Sequence, residues 1–288
     1  MKTLIIDGNN LVHRTYWTAK TQSKRTNTDT QDQINDFHIY FTLNAVFSYV
    51  TKFNPDKTIF VWDEKKDYQI NDRKIQFEDY KGNRSSDVSP HQNNNDIQRI
   101  LSYLGISSIY PRQLEADDIV SYICRFTEGK KVIVSVDKDF LQLINSDVIF
   151  YDPIRKEEYT IENFESKTGS HNTEEWLVFK SLVGDKSDNV PGVFGKAKAL
   201  KFIKGELKLS LEEESIYTRN FNLFNLGKLT YDDQESEYYR GQLCKNVERS
   251  WSNFLTECDA RKFSSILKKK ESWHTLFFLK HKLASLFV

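Results

Sequence analysis

Nine acidic residues fall in short clusters along this chain: Asp7; Asp63; Glu115, Asp117 and Asp118; Asp137 and Asp139; Asp185 and Asp188. Asp7, Asp63 and Asp137 each follow an apolar, β-branched run of the kind that forms a buried strand. Carboxylates brought together repel and raise one another's pKa unless cations neutralise them. Oxygen donors without histidine or cysteine select a hard ion, Mg²⁺ or Mn²⁺. Two such ions about 3.5–4 Å apart activate a water and stabilise the leaving oxygen in phosphodiester hydrolysis. Each cluster taken alone has a plainer reading. Asp7-Gly8 is a common turn pair. Glu115, Asp117 and Asp118 complement the positive end of a following helix. Asp139 caps a short helix over 140–144, and Asp185 and Asp188 sit in a solvated loop. None of these readings accounts for three acids at strand ends.

The elements that must position these acids are legible in the first half of the chain. Lys2–Ile6 reads as a strand followed by a turn, Lys57–Trp62 as a second strand, Ile106–Tyr110 as a third. Lys131–Val136 and Val148–Tyr151 supply two more. Residues 20–35 are polar and read as a mobile loop. Apolar spacing predicts helices over 34–53, about 95–104 and 115–126. Strands alternating with helices indicate an α/β fold with a mostly parallel central sheet and helices on both faces. In such sheets ligands gather at the carboxyl ends of the strands, where Asp7, Asp63 and Asp137 sit. From about Ile161 strand signals fade, and helices are predicted over 173–182 and 196–204. The division expected is an α/β core over 1–160 and a helical region over 161–288.

Composition sets the limits. The chain has 288 residues, 39% of them hydrophobic, and 41 basic residues balance 41 acidic ones. That neutrality gives no overall basic excess for nucleic acid, although acids gathered at one site would leave the remaining surface basic. No apolar run reaches about 18 residues, so no membrane span is expected. Cys124, Cys244 and Cys258 have neither disulfide-framework nor zinc spacing and read as reduced thiols of a cytoplasmic protein.

Four motifs occur in order: Tyr80-Lys81-Gly82-Asn83-Arg84, Leu114-Glu115-Ala116-Asp117-Asp118, Ser135-Val136-Asp137-Lys138-Asp139-Phe140, and Gly184-Asp185-Lys186-Ser187-Asp188-Asn189-Val190-Pro191-Gly192-Val193. Together they resemble the 5′-nuclease domain of bacterial DNA polymerase I and the free-standing phage-type flap endonucleases, over residues 1 to about 205. The resemblance implies structure-dependent hydrolysis at a 5′ single-strand/duplex junction by two Mg²⁺ ions, with Mn²⁺ substituting. Glu115, Asp117 and Asp63 would surround one ion with Asp7 and Asp118 near it. Asp137, Asp139, Asp185 and Asp188 would serve the other.

The polar stretch 64–95 matches the family's helical arch. If 72–84 is helical, Arg73, Lys74, Lys81 and Arg84 share an arc of roughly 100°. A solvated helix face is the plainer account of such a stripe. The resemblance gives Lys81 and Arg73 contact with the scissile phosphate and places Tyr80, Arg84 and Arg14 near substrate. Gly82 and the Asn-rich flank disfavour helix and predict a segment mobile without DNA. Residues 184–204 resemble a helix-hairpin-helix in which Gly192, Gly195, Lys196 and Lys198 face duplex phosphates, with Lys201 and Lys204 on the same basic helix. This hairpin is shorter than the family's, which bears on the K⁺ ion the family often holds there. Tyr16 and Trp17 are expected in the core, and Lys268-Lys269-Lys270 on a solvated face. The partners implied are DNA with a 5′ flap or junction, RNA/DNA hybrid and separate replication proteins, for a monomer acting away from membranes. A PIN-type ribonuclease shares the strand-end acids but lacks the arch and the 185–193 motif. A catalytically silent junction binder is the other alternative.

Overall fold

The computed structural model describes residues 1–26, 30–63, 72–82, 89–112, 114–228 and 230–279. In chain order the elements begin β1 (Lys2–Asp7), α1 (Gly8–Arg25), α2 (Gln31–Phe53), β2 (Lys57–Val61), α3 (Asp72–Gln76) and α4 (Asn94–Tyr103). There follow β3 (Ser107–Ile109), α5 (Ala116–Phe126), β4 (Lys130–Val134), β5 (Val148–Asp152) and β6 (Glu157–Tyr159). Next come α6 (Phe164–Thr168), α7 (Thr173–Val183), β7 (Gly184–Asp185), β8 (Val190–Pro191) and α8 (Lys196–Ile203). Then come α9 (Leu211–Phe224), α10 (Asp233–Cys244), α11 (Trp251–Ala260), α12 (Ser264–Lys268) and α13 (Lys270–His274), which runs on into a π-helical turn over Thr275–Leu279. The α/β class with a mostly parallel central sheet, expected from the strand and helix pattern, is the fold observed.

Contacts gather these elements into two compact units, one of Met1–Trp62, Asp87–Tyr110 and Asp233–Val288, the other of Asp63–Ser86 and Pro111–Asp232. In the first unit the strands run β3-β2-β1, all parallel, with Ile5 opposite Ile59 and Val61 opposite Ile109. Leu4, Ile5, Ile6, Ile59, Phe60 and Val61 are essentially inaccessible to solvent. Such continuous apolar runs are what a parallel strand covered on both faces requires. In the second unit β5 pairs parallel to β4 and antiparallel to β6, an edge strand that the sequence pattern did not predict.

Several local expectations give way. The loop expected over 20–35 is instead the end of α1 and the start of α2, with 27–29 outside the described residues. Helix α1 needs only one covered face. Ala19 and Ser23 are buried, while Thr18 and Thr21 donate their hydroxyls to the carbonyls of Arg14 and Trp17. Thr30 caps α2 through Oγ1, which accepts from the Gln33 amide. Tyr16 is buried as expected, but Trp17 is 43% exposed. Neighbouring helix positions face directions about 100° apart. Lys268, Lys269 and Lys270 are exposed.

The helix expected over 72–84 ends at Gln76. Two tight turns follow, in which Tyr80 N donates to Phe77 O and Gly82 N to Asp79 O. Lys81 adopts a left-handed φ of 57°. The shared arc of Arg73, Lys74 and Lys81 is therefore not formed. Arg84 and the expected mobility of the arch over 64–71 and 83–88 fall outside the described residues.

The hairpin after α7 depends on two glycines. Gly184 has φ +75°, and a Cβ on Gly192 would run into the Val183 carbonyl. With the backbone this close, the amides of Val193 and Phe194 both donate to Leu182 O, at 2.7 and 2.9 Å. No helix among the described residues is long and apolar enough to cross a membrane.

Candidate active site

Eight of the nine acids lie in the second unit, and four of them, Glu115, Asp118, Asp139 and Asp185, are met there by protein cations. Glu115 precedes α5 and Asp118 stands in its first turn, with the Glu115 amide donating to Asp118 Oδ2 (2.9 Å). Arg73, on α3, holds both. Its Nη2 and Nη1 reach the two Asp118 oxygens at 2.5 and 3.0 Å, and Nη1 also reaches Glu115 Oε2 at 2.8 Å. Its Nε donates to the Leu223 carbonyl, which fixes the plane of the guanidinium. Burial works against the charge, but Asp118 and Glu115 outweigh it and hold the guanidinium pKa well above its ordinary value.

The turn after α3 completes the grip on Glu115. Tyr80 OH donates to Oε2 (3.1 Å) and Lys81 Nζ lies 2.7 Å from Oε1. Tyr80 is buried against Leu177, Val190, Leu223 and Phe224. Burial and the charge of Glu115 push its phenol pKa up, so it acts as a donor. Lys81 N donates to Asp188 O at 2.8 Å, and Asn189 Nδ2 donates to Asp79 O at 3.0 Å. Asp63 sits beyond β2, where Oδ1 accepts from the Ala116 amide (3.1 Å). Asp117, half-buried, lies in the first turn of α5.

A second group surrounds Lys180. This residue, on α7, reaches Asp139 Oδ1 at 2.5 Å and Asp185 Oδ2 at 2.6 Å. Burial opposes its charge, but the two carboxylates raise its pKa above the ordinary lysine value. Asp139 is pushed up to about 7 by burial and by neighbouring Asp137, with Lys180 acting the other way. The short-helix cap is Asp137 rather than Asp139: its side chain accepts from the Asp139 amide at 2.8 Å and opens the 3₁₀ turn Lys138–Leu143. A proline-free, short connection lets the acid two residues upstream reach that amide. Asp185 Oδ1 accepts from the Ser187 amide and hydroxyl. Asp188 is buried.

Asp7 and Arg14 belong to the first unit. Asp7 ends β1 and caps α1 through Asn10 N (3.0 Å). Arg14 reaches Asn10 Oδ1 and the Tyr49 hydroxyl. In the second unit Gly192 lies inside the hairpin, Gly195 is the N-cap residue of α8, and Lys196 and Lys198 are exposed on its first turn.

The sequence reading missed Lys180. Its signal was a lone lysine on the helix just before the Gly184-Asp185 motif, among Trp176, Leu177, Phe179 and Leu182. A cation at such a position is worth searching for an acid partner.

Among the described residues, no three acids, histidines or cysteines enclose a space ready for an ion. The residues nevertheless fit a hard divalent cation. Their donors are carboxylate oxygens alone, Asp139 and Asp185 already converge on one positive group, and the raised pKa of Asp139 signals a place short of positive charge.

The fold and these acids define a class. Residues 2–169 match the 5′-3′ exonuclease, N-terminal resolvase-like domain. The 5′-3′ exonuclease of Aquifex aeolicus is 31% identical over 230 residues, covering 77% of this chain and 76% of that protein. Flap endonuclease Xni of Shewanella halifaxensis is 31% identical over 212 residues, covering 70% and 77%. DNA polymerase I of Caldicellulosiruptor bescii is 31% identical over 229 residues, and there the match spans 25% of the relative's length. Among solved structures, T5 5′-exonuclease with bound zinc has a TM-score of 0.66 at 18% identity, covering 84% of this chain and 98% of that one. Its likeness is one of fold. This chain belongs to the 5′-3′ exonuclease family.

Proposed function

We propose that the chain is a divalent-metal-dependent 5′-nuclease that hydrolyses phosphodiesters at single-strand/duplex junctions of DNA, by flap cleavage and 5′-3′ exonucleolysis. Its work would lie in replication or repair, including removal of RNA primers from RNA/DNA hybrid, as a monomer beside separate replication proteins in the cytoplasm. The observation that carries the reading is the set of poorly hydrated carboxylates in the second unit, the buried Glu115, Asp118 and Asp139 and the half-buried Asp185, each met by a buried or half-buried cation. A protein that only bound DNA would gain nothing from burying acids in this way, since they oppose phosphate.

Asp63, Glu115 and Asp117 would surround one Mg²⁺, with Asp7 and Asp118 near it, and Asp137, Asp139, Asp185 and Asp188 would serve a second, with Mn²⁺ able to substitute. Ions so held would lower the pKa of water and offset charge on the leaving oxygen. The remaining work falls to the chain itself. Lys81, released from Glu115, orients the scissile phosphate and offsets its developing charge. Arg73 keeps Glu115 and Asp118 ionised and fixed in direction. Tyr80 anchors the turn that carries Lys81. Lys196 and Lys198, with the amides that open α8, receive phosphates of the duplex arm, while Arg14 and Arg84 contact the strand near the junction.

The test is a 5′-end-labelled flap duplex incubated with Mg²⁺, Ca²⁺ or EDTA, for the chain and its Asp137→Asn variant. Cleavage at the junction in Mg²⁺ alone, lost in the variant while binding persists, is expected. Binding without cleavage in either Mg²⁺ or Mn²⁺ would leave a silent junction binder.

A further inference from the structure

Lys180 has no role in the chemistry above, yet it occupies the centre of one of the two acid groups. Its Nζ lies 2.5 Å from Asp139 and 2.6 Å from Asp185, and 5.2 Å from the Phe224 ring centre. The side chain is 15% exposed, and those of Asp139 and Asp185 are 12% and 18% exposed. Two carboxylates this close, this poorly hydrated and without a cation would repel strongly. A single ammonium leaves the trio with one net negative charge.

We infer that Lys180 is an internal counter-ion of the metal-free enzyme: its ammonium holds Asp139 and Asp185 together and is displaced when a divalent cation takes those oxygens. The inference rests on the metal-dependent reading of this site. Its physical basis is competition. The ammonium and a divalent ion seek the same carboxylate oxygens, so the protein gives up the lysine contacts on loading, and apparent metal affinity is reduced by that amount. Lysine suits the task better than arginine, because a point charge on a flexible four-carbon stem can swing aside, whereas a forked guanidinium is held in one plane. Arg73, whose guanidinium makes four hydrogen bonds to Asp118, Glu115 and Leu223, stays in place; Lys180, with a single contact to each acid, is the mobile partner. The metal-free protein is thereby spared a buried pair of unbalanced acids, and the loaded one gains a cation free to move away from the site.

Titration calorimetry with MgCl₂ and no DNA tests this on the full chain and on Lys180→Met, which keeps the stem and removes the charge. The variant should melt at lower temperature in EDTA. It should also bind Mg²⁺ more tightly by on the order of tenfold or more, since a positive charge has left a poorly screened site. Its thermal stabilisation by Mg²⁺ should exceed that of the parent, and Lys180→Arg, which keeps the charge but swings aside less readily, should bind Mg²⁺ no more tightly than the parent. Unchanged or weaker Mg²⁺ binding by Lys180→Met overturns the inference, because a merely structural lysine would lower stability and leave metal affinity alone. Amine labelling of the unmodified chain, read by mass spectrometry, serves should the Met variant fail to fold. Lys180 should be protected in EDTA and labelled in Mg²⁺ or Ca²⁺, and equal protection in both sinks the idea. A parent chain that cleaves a flap in Mg²⁺ while either test fails leaves the proposed function standing. A parent that neither binds Mg²⁺ nor cleaves takes both down.

Discussion

Both units of the chain carry an ionic network, and the two differ in what surrounds the charges. In the first unit Arg99 pairs with Asp96 and Glu257, and Arg261 pairs with Asp36 and Asp96, linking α2, α4 and α11. Those side chains are 20–43% exposed. In the second unit Arg73, Lys81, Glu115 and Asp118 are 3–16% exposed. The first network sits in water that would solvate its members nearly as well apart as together. The second has been taken out of water, where an isolated acid is expensive to keep ionised. Fastening helices does not require such burial, because the first unit does it with exposed pairs. What buried acids supply is a fixed array of oxygens that a divalent ion or a phosphate can compete for.

The comparison is broken most severely at its buried member. Arg73→Met leaves Glu115 and Asp118 without the guanidinium, and removal of one partner from a buried pair costs about 3–5 kcal/mol. Urea denaturation monitored at neutral pH should show a loss of this size. A loss below about 1 kcal/mol would mean that the acids had become protonated or hydrated, and that the two networks are alike. The next effect sharpens the contrast by pH. One buried titratable group of the first unit is neutral: His38 donates from Nε2 to Val12 O and accepts at Nδ1 from Asn93, and burial lowers its pKa from 6.5 to about 4. The unfolded chain therefore takes up this proton first. Stability is full above about pH 6.5 and falls as pH drops toward 4, by up to about 3 kcal/mol. The difference in acid stability between the parent and His38→Gln, whose amide can still donate to Val12, should isolate this limb. A parallel pH profile in the two proteins would exclude it. The smallest effect is expected at the exposed network. Arg99→Ala should cost less than about 1 kcal/mol, and the difference should fade in roughly 1 M salt as the charges are screened.

Much of the frame was legible in the sequence, because a buried parallel strand must be almost wholly apolar and few other segments are. β1, β2, β4 and β5 were found to within two residues for that reason. The helices α1 and α2 were underestimated across residues 20–35. A surface helix carrying Thr, Gln and Lys satisfies its own backbone and needs little apolar sequence. The turn at residues 77–82 was misread because nothing local announces a left-handed lysine; the Asp188 carbonyl, over a hundred residues away in the chain, holds Lys81 N in place. Lys180 escaped for the opposite reason. Its partners were already recognised as acids for a metal, so no cation was sought among them. The helices beyond residue 210 lack both strong periodicity and motif.

The hydrogen bonds that tie the turn after α3 to the hairpin after α7 have a mechanical consequence. Lys81 N to Asp188 O and Asn189 Nδ2 to Asp79 O form a double rivet between two surface segments. Asn220 fastens the far side of the same hairpin by donating to both Ser181 O and Pro191 O. A force on the turn is therefore felt at Asp188 without travelling through the sheet. In hydrogen exchange the Lys81 amide should open with the hairpin as a single foldon rather than with its own chain neighbours.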